Sequence, residues 1–501
     1  MRLKIAARIS DLARLQAFRV GDRLREKGFE VEYAFRASLG DQNQHDPLWK
    51  MPEKGVFTED FHQDLTSGSA DLVVHSWKDL PTEPRRDTRI AATLPRADSR
   101  DLFLMRRDRI DGARTSKRLR VLTSSPRRAY NLQAFFKNHL PFPIDDVVFE
   151  NVRGNIATRV KKLLEQDVEG LIVAKAAIDR LLEAPEAEFD GSRSILLDAL
   201  KKTRFMVLPL SVNPTAAAQG ALAIEIRNDR SDLSRILESI DCRETFEAVE
   251  KEREILASYG GGCHQKIGVS VLPRKFGEVL FLRGLTDAGE TLNRSEISVS
   301  VRERVEPAKI YPRSDEASSF FSRRERPRGE WARAESAKAL WVARETAWPE
   351  GFRVADDVWV WTAGLTSWRK LAARGIWVNG TSDGLGETEN HSLDAIAKAD
   401  QRKLEWLKLT HSGSSPSGTM PICATYELVP RPDAPDLKGR THFYWMSGSA
   451  FDRALELHPE IRDAFHSSGP GLTHEHLVRR LGRPTLPIYL NPEAFRAALG
   501  L

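Results

Sequence analysis

Cysteine, long apolar runs and excess charge of either sign are all scarce in this chain of 501 residues. Three cysteines cannot build a disulfide framework and favour a reducing compartment, so we expect a cytoplasmic protein. The N-terminus has no apolar core that would suit a signal peptide. One uncharged stretch of membrane length, 205–224, contains two prolines, an asparagine and a glutamine, which argues against a membrane span. A net charge of +5, without a basic stripe, gives no reason to expect a nucleic-acid partner.

The length predicts about three or four domains. Short apolar runs alternate with amphipathic helical patterns up to about residue 304, which is typical of an α/β fold. Residues 302–335 hold eight arginines and show no sustained periodicity, so we interpret 306–338 as a linker. Nine of the eleven tryptophans follow, from Trp331 onward. Gly-Leu-Thr at 364–366 and again at 471–473 predicts that the tail, 339–501, has two similar lobes.

Polar and ionisable residues follow the apolar run Leu72–Val74, where a predicted strand ends. They are His75, Ser76, Lys78 and Asp79. Ligands of open α/β sheets bind at the carboxyl ends of strands, and a carboxylate beside an ammonium there could move protons or stabilise a developing cation. A solvated loop with a local ion pair is the alternative.

Two further segments predict an anion pocket. Ser125 can cap a helix that begins at Pro126, which leaves free backbone N–H groups beside Thr123, Ser124, Arg127 and Arg128. After another predicted strand, Asn155 can cap a helix between Arg153 and Arg159, and Arg8 and Ser10 follow the first strand. Capped surface helices with solvated arginines are the alternative. The Gly-rich nucleotide loops are absent from the sequence, so we expect a ligand rich in carboxylates or phosphates.

Cys263 follows three glycines, 260–262, which permit an unusual backbone and an exposed sulfur. His264 and Lys266 would favour its thiolate, so a covalent or nucleophilic role is open. A buried, inert thiol is the alternative, and it is our interpretation for Cys242 and Cys423. A cysteine pair at metal-binding spacing is absent from the sequence, so a metal site is not expected.

Taken together, these segments resemble the hydroxymethylbilane synthase (porphobilinogen deaminase) family from about Leu3 to Val301. The matching motifs, in the family's order, are 7–13 (ARISDLA), 54–57 (KGVF), 74–81 (VHSWKDLP), 98–101 (DSRD), 123–128 (TSSPRR), 153–159 (RGNIATR) and 261–263 (GGC). The resemblance implies two periplasmic-binding-protein-like α/β domains facing a cleft and a small α/β domain that carries a cofactor. The implied bounds are 1–101 with 205–230, then 102–204, then 231–305.

The resemblance also implies a reaction, in which four porphobilinogens join head to tail with loss of ammonia. A dipyrromethane primer would be attached covalently to Cys263, and Asp79 matches the catalytic aspartate. The residues implied to hold the cofactor are Ser76, Lys78, Thr123, Ser124, Arg127 and Arg128. Those implied to hold substrate are Arg8, Ser10, Arg153, Asn155, Arg159 and Gln219.

The chain departs from the family pattern at four places. Asp11 replaces a proline, Ala218 a common glycine, 38–41 (SLGD) a Thr-Arg-Gly-Asp turn, and Gln265-Lys266 an apolar-proline pair. None of them removes a residue assigned to the chemistry.

The tail, 339–501, resembles uroporphyrinogen-III synthase in its glycine–threonine turns and in 409–413 (LTHSG), 426–430 (YELVP) and 446–449 (MSGS). Because we interpret the preceding segment as a linker, we expect a modest interface and a tail that can be removed. A monomer is expected. The competing functional hypothesis is a non-catalytic polyanion-binding protein of the same fold, which would need neither Asp79 nor Cys263.

Overall fold

The computed structural model describes residues 1–37, 59–261, 265–313, 320–414 and 420–501. The predicted attachment residue Cys263, the departure at 38–41 and the 54–57 motif lie outside the described residues. Within these ranges, no helix is both long and apolar enough to cross a bilayer. The predicted α/β class is confirmed.

The first sheet has five strands, of which three neighbouring strands are parallel and two more extend the sheet beyond the third. In spatial order its strands are β2 (Glu30–Arg36), β1 (Arg2–Arg8), β3 (Leu72–Ser76), β10 (Leu222–Arg227) and β4 (Thr88–Ala92). The strand β10 runs antiparallel to both of its neighbours. Helix α1 (Asp11–Glu26) buries Ala17, Val20 and Leu24 against the sheet, and α2 is Glu59–Thr66.

The second sheet has the same arrangement. In spatial order its strands are β7 (Asp146–Glu150), β6 (Arg118–Leu122), β8 (Gly170–Ala174), β5 (Asp101–Arg106) and β9 (Thr203–Val207). Its helices are α3 (Ile110–Ser116), α4 (Pro126–His139), α5 (Ile156–Glu165), α6 (Lys175–Leu182) and α7 (Asp190–Lys202). The chain therefore crosses between the two sheets twice, after β4 and after β9.

A small antiparallel sheet follows, with β11 (Gly268–Leu272), β12 (Val279–Leu285) and β13 (Thr291–Ile297). The helices before it are α8 (Ser231–Glu238) and α9 (Arg243–Ala257). Buried Glu252 of α9 accepts a hydrogen bond from the Val271 backbone N–H (2.8 Å) and pairs with Arg96 (2.7 Å). It thereby ties this sheet to the crossover after β4.

The tail contains two further sheets. The larger one consists of β15 (Phe321–Glu325), β20 (Ile422–Pro430), β19 (Trp406–His411), β16 (Ala339–Val342), β17 (Trp359–Thr362) and β18 (Gly380–Thr381). The smaller one consists of β14 (Ile310–Tyr311), β21 (His442–Trp445) and β22 (Phe465–Ser468). The helices are α10 (Arg328–Trp331), α11 (Leu365–Ala373), α12 (Asp394–Ala399), α13 (Gly448–Leu457), α14 (Leu472–Leu481) and α15 (Pro492–Ala498).

The linker prediction for 306–338 is wrong. Strand β14 pairs with β21, and β15 pairs antiparallel with β20, so the segment supplies a strand to each of the tail's sheets. Trp331 is buried there. The arginines misled the prediction because β15 is an edge strand, whose backbone pairs while its charged side chains stay exposed.

The expectation of a modest interface is also wrong. Trp368 of α11 packs edge-on against Phe135 of α4, with ring centroids 5.3 Å apart, and its indole N–H donates to the His139 carbonyl (3.0 Å). Asn379 accepts a hydrogen bond from the Val207 N–H at 2.7 Å and donates to the Phe205 carbonyl at 3.1 Å. One buried apolar cluster spans both parts. The tail is therefore packed on the second sheet and its crossover.

Candidate active site

Asp79 stands at the carboxyl end of β3, as predicted. The strand ends at Ser76 and leads into a 3₁₀ turn, Trp77–Asp79. Trp77 is buried, and its backbone N–H donates to the Ala221 carbonyl (3.1 Å), which fixes the turn. The Asp79 carboxylate is left exposed at the turn's end. Within the described part of the chain no hydrogen bond or salt bridge engages this carboxylate, so it can meet a bound molecule directly.

Lys78 points the other way, into the protein. Its Nζ donates to Gln219 Oε1 (3.2 Å). Burial lowers the pKa of Lys78 to about 8, aided by Arg128 and Arg127 and opposed by Asp79 and Asp101. The ammonium therefore lies in the field of two arginines and two carboxylates, and burial is what lowers its pKa most.

Asp101, at the start of β5, organises this region. It is fully buried and accepts five hydrogen bonds, from Arg127 (3.0 Å), Arg128 (3.0 and 2.6 Å), Asn213 (2.9 Å) and Gln219 (2.8 Å). The two guanidiniums hold the pKa of Asp101 far below its usual range, despite burial. The sequence analysis quoted Asp101 only as part of a motif and missed this role.

Arg127 and Arg128 are thus less available than the sequence suggested. Arg127 also donates to Asn213 Oδ1 (2.9 Å) and the Pro214 carbonyl (2.7 Å), and Arg128 to the Ile172 carbonyl (3.2 Å). Each guanidinium has five N–H donors and makes three of these protein hydrogen bonds. Among the described residues, the other two N–H groups of each guanidinium have no hydrogen-bond partner, and their contact with a ligand stays a prediction.

The two predicted helix caps are confirmed. Ser125 accepts a hydrogen bond from the Arg128 N–H at the start of α4, with Pro126 in the first position. Asn155 caps α5 by accepting from the Thr158 N–H (2.9 Å). The Asn155 side chain therefore holds the helix, and its predicted contact with substrate stays a prediction.

Thr123 and Ser124 connect the ends of neighbouring strands. Thr123 is buried, and its N–H donates to the Glu150 carbonyl (2.8 Å). Ser124 Oγ accepts from the Val152 N–H (3.1 Å) and donates to the Val152 carbonyl. Both residues thereby fix the turn that presents Arg153.

Arg159 brings the two sheets' site residues together. Its Nε donates to the Gly154 carbonyl (2.9 Å), within a turn where Gly154 has φ +108°. Burial lowers the pKa of Arg159 to about 10, with Arg128 and Arg153 acting in the same direction and Asp79 opposing. The carboxylate from the first sheet therefore lies in the field of cations from the second.

The remaining predicted residues lie at the carboxyl edge of the first sheet. Arg8 ends β1, the parallel neighbour of β3, and Ser10 is the N-cap residue of α1. Ser76 Oγ is hydrogen-bonded to the amide of buried Gln16 (3.0 and 3.1 Å). The Ser76 hydroxyl is therefore occupied by Gln16. The predicted cation at this edge is Arg8.

The described residues next to Cys263 approach the Asp79 turn. Gly261 has φ +62°, and a Cβ there would lie 2.6 Å from Thr82 Oγ1. Arg253 of α9 donates to the carbonyls of Leu80 (3.2 Å) and Pro81. The chain therefore enters the Cys263 segment against the loop that follows Asp79.

A family model described as "Porphobilinogen deaminase, dipyromethane cofactor binding domain" matches residues 3–235. The "Probable porphobilinogen deaminase" of Sulfurisphaera tokodaii is 33% identical over 269 residues, which are 54% of this chain and 81% of that protein. The chain belongs to the porphobilinogen deaminase family. The "Porphobilinogen deaminase" of Syntrophomonas wolfei is 33% identical over 285 residues, 56% of this chain and 84% of that protein.

Among solved structures, the methionine-binding protein MetQ aligns with 50% of this chain and 94% of its own length, at 11% identity and a TM-score of 0.27.

The structure explains three departures from the porphobilinogen deaminase pattern. Asp11 accepts a hydrogen bond from Ser192 Oγ (2.5 Å) and is a favourable acid in the first turn of α1. Ala218 has φ +67°, a left-handed conformation that explains why the family often has glycine there. Gln265 Nε2 donates to the Tyr259 carbonyl (2.6 Å) across the Cys263 segment.

Proposed function

We propose that this chain is a hydroxymethylbilane synthase, which joins four porphobilinogen molecules head to tail and releases ammonia at each addition. The observation that carries the proposal is the exposed carboxylate of Asp79 beside cations from two sheets, Lys78 and Arg159. Porphobilinogen bears two carboxylates, so the growing product accumulates negative charge. A cleft rich in partly desolvated cations suits that product.

Asp79 supplies the negative charge that the reaction needs. Loss of ammonia from the aminomethyl carbon of porphobilinogen leaves an electron-poor cation, and a nearby carboxylate stabilises it and accepts a hydrogen bond from the pyrrole N–H. Arg159 holds a side-chain carboxylate of the substrate, which places the reacting carbon near Asp79.

The residues present fit a dipyrromethane cofactor attached to Cys263. The uncommitted N–H groups of Arg127 and Arg128 and the ammonium of Lys78 would hold its carboxylates. When bound, the cofactor supplies the pyrrole carbon to which the first substrate is joined. The proposed protein role is to orient it against Asp79 and to keep its carboxylates neutralised.

The Asp79→Asn variant tests the proposal, because it keeps the side chain's shape and removes its charge. Apoprotein should be loaded with preformed hydroxymethylbilane, so that cofactor assembly does not limit the result, and the adduct should be confirmed by intact mass. We expect turnover to fall at least ~10²-fold. Asp111→Asn, on exposed α3, is the matched control and should retain wild-type turnover.

Near-wild-type turnover of the loaded Asp79→Asn protein would refute Asp79's role. A wild-type protein that turns over porphobilinogen without a mass adduct would refute the cofactor assignment. Binding of porphobilinogen with no product from either protein would instead favour the polyanion-binding alternative.

The tail's resemblance to uroporphyrinogen-III synthase stays a prediction, because the matching family model ends at residue 235. An active synthase would give the type III isomer from porphobilinogen, whereas spontaneous closure of the linear product gives type I. The predicted domain bounds, cytoplasmic location and monomeric state also stay predictions.

A further inference from the structure

One loop of the tail contacts both crossovers between the first two sheets. The loop is 383–392, between β18 and α12, and we call it the crossover brace. Its Asp383 carboxylate accepts hydrogen bonds from the Ser211 backbone N–H (2.9 Å) and the Ser211 hydroxyl, in the crossover after β9. Its His391 carbonyl accepts a hydrogen bond from Arg100 Nη2 (2.8 Å), in the crossover after β4. A single loop therefore links the two segments where the chain passes from one sheet to the other.

The crossover brace also reaches the second sheet and the small antiparallel sheet. The Ser392 carbonyl accepts a hydrogen bond from Nζ of Lys175, a fully buried lysine at the start of α6. Glu389 pairs with Arg274, which follows β11, and Arg274 Nε lies 3.0 Å from Glu389 Oε2. The brace is therefore tied to both of these sheets as well as to the crossovers.

Within the tail, the crossover brace is anchored on the larger sheet. The His391 ring packs against the rings of Trp361 and Trp406, at centroid distances of 4.7 and 4.6 Å. The Ser382 backbone N–H donates to the Thr362 carbonyl (2.8 Å) just before the brace begins. Because the loop is fixed on the tail's larger sheet, its contacts restrain the crossovers.

The crossovers carry residues that organise the cations near Asp79. Asn213, two residues beyond the Asp383 contact, donates to Asp101 (2.9 Å) and accepts from Arg127 (2.9 Å). Asp101 itself comes directly after the other contact of the brace. Asp79 belongs to the first sheet and Arg127 to the second, so their separation depends on the segments that join the two sheets.

We propose that the crossover brace fixes how the first two sheets are placed relative to each other, and that Asp383 is a positioning residue for the Asp79 site. Asp383 acts through the crossover after β9, and not by contact with substrate. The placement of the sheets is independent of the reaction, whereas the positioning role rests on the proposed function. A misplacement of about 1 Å can cost ~10²-fold in rate, so a loosened crossover should reduce turnover.

Three variants test this role in the full-length protein. Asp383→Gly removes the carboxylate without adding backbone strain, because glycine readily adopts the left-handed conformation of Asp383 (φ +55°). Asp383→Asn can keep both contacts, since its carbonyl oxygen can accept from the Ser211 N–H and its amide can donate to the Ser211 hydroxyl. The control, Trp368→Phe, removes a different tail contact, the hydrogen bond to the His139 carbonyl (3.0 Å) at the end of α4.

The first measurement is the distance distribution between the two sheets' domains. Spin labels are attached to encoded keto amino acids in place of Lys27, after α1, and Lys137, on α4, so the cysteines stay unchanged. Both positions are exposed. Double electron–electron resonance should give a broader or shifted distribution for Asp383→Gly than for the wild type. Asp383→Asn and Trp368→Phe should keep the wild-type distribution.

The second measurement is the steady-state kinetics of cofactor-loaded protein, well below its unfolding temperature. We expect kcat for porphobilinogen to fall at least ~10-fold in Asp383→Gly, with a smaller change in KM because the cationic side chains are retained. Asp383→Asn should restore kcat. Trp368→Phe should keep kcat while its unfolding temperature falls. A merely structural contact at Asp383 would behave as Trp368→Phe does.

An unchanged distance distribution in Asp383→Gly would overturn the brace, and an altered distribution with wild-type kcat would overturn the positioning role. If Asp383→Gly does not fold, Ser211→Ala decides, since it removes only the hydroxyl that donates to Asp383. If the wild-type protein does not turn over porphobilinogen, the proposed function and the positioning role both fail. The distance distributions then confirm or overturn the brace by themselves.

Discussion

Replacing Asp101 by asparagine removes the charge that neutralises two buried arginines. Arg127 and Arg128 are both buried, and the shortest contact, Arg128 Nη2 to Asp101 Oδ1, is 2.6 Å. Removing one partner of a buried ion pair costs about 3–5 kcal/mol, because the remaining charge stays desolvated. The denaturant slope is about 1–3 kcal/mol per molar urea for small proteins and grows with size, so that cost should lower the unfolding midpoint of this chain measurably, by at most about 2 M. Circular dichroism during urea titration measures it.

The control is Asp108→Asn. Asp108 pairs with Arg106 at the same distance, 2.6 Å, but its side chain is 61% exposed. An exposed pair contributes at most about 1 kcal/mol, so the control midpoint should stay close to that of the wild type. Equal midpoint shifts in the two variants would refute the reasoning that burial, and not the contact itself, sets the cost.

The pH dependence gives a second check on Asp101. Its pKa is lower in the folded protein than in the unfolded chain, so its stabilisation is present above the unfolded value, near ~3.9, and declines as the pH falls below it. The difference between wild type and Asp101→Asn should therefore be largest near neutral pH and shrink in acid. A difference that grows as the pH falls would contradict the assignment.

Three further predictions concern the site, the backbone and the tail. Because the pKa of Lys78 is about 8, kcat/KM for porphobilinogen should fall as the pH rises through that value. The Lys78→Arg variant should show this fall at higher pH. A pH profile that the variant leaves unchanged would exclude Lys78 as its source. Gly220→Ala should lower the free energy of unfolding by ~1–3 kcal/mol more than Gly375→Ala does in urea titrations. Both glycines have positive φ, but only a Cβ at Gly220 would lie 2.5 Å from a backbone oxygen, that of Ala97. A chain that stops at residue 305 should elute as aggregate in size-exclusion chromatography, because it exposes the apolar surface that Trp368 covers; a monodisperse active fragment would contradict this.

Local patterns in the sequence predicted the turn at Asp79 and the two helix caps, because each pattern describes a single strand end. The polar run after Leu72–Val74, the Ser125 cap before Pro126 and the Asn155 cap all depend on neighbouring residues only. Strand ends of one parallel sheet must share an edge, so the Ser125 and Asn155 segments could be placed together without coordinates. Their approach to Asp79, on the other sheet, could not.

Long-range pairing was beyond the sequence. Asp101 reaches Arg127 and Arg128 because β5 runs antiparallel beside β8, and nothing in the local pattern specifies that neighbour. The prediction of a separable tail was wrong for a similar reason. Its tryptophans indicated a domain of separate origin, yet Trp368 covers Phe135, more than two hundred residues away, and the arginine-rich segment proved to contain β15.

The two aspartates of this region divide two tasks by their environments. Asp101 is fully buried, accepts five hydrogen bonds and stays ionised against two arginines, so its charge is fixed and shielded from a ligand. Asp79 is exposed beside Lys78 and Arg159, so its charge is free to act on a cation that forms next to it. Without Asp101, Arg127 and Arg128 would present two uncompensated buried charges and would attract a carboxylate in its place. Under the proposed function, this neutralisation would limit how strongly the cleft holds a polyanionic product, which a chain-building enzyme must finally release.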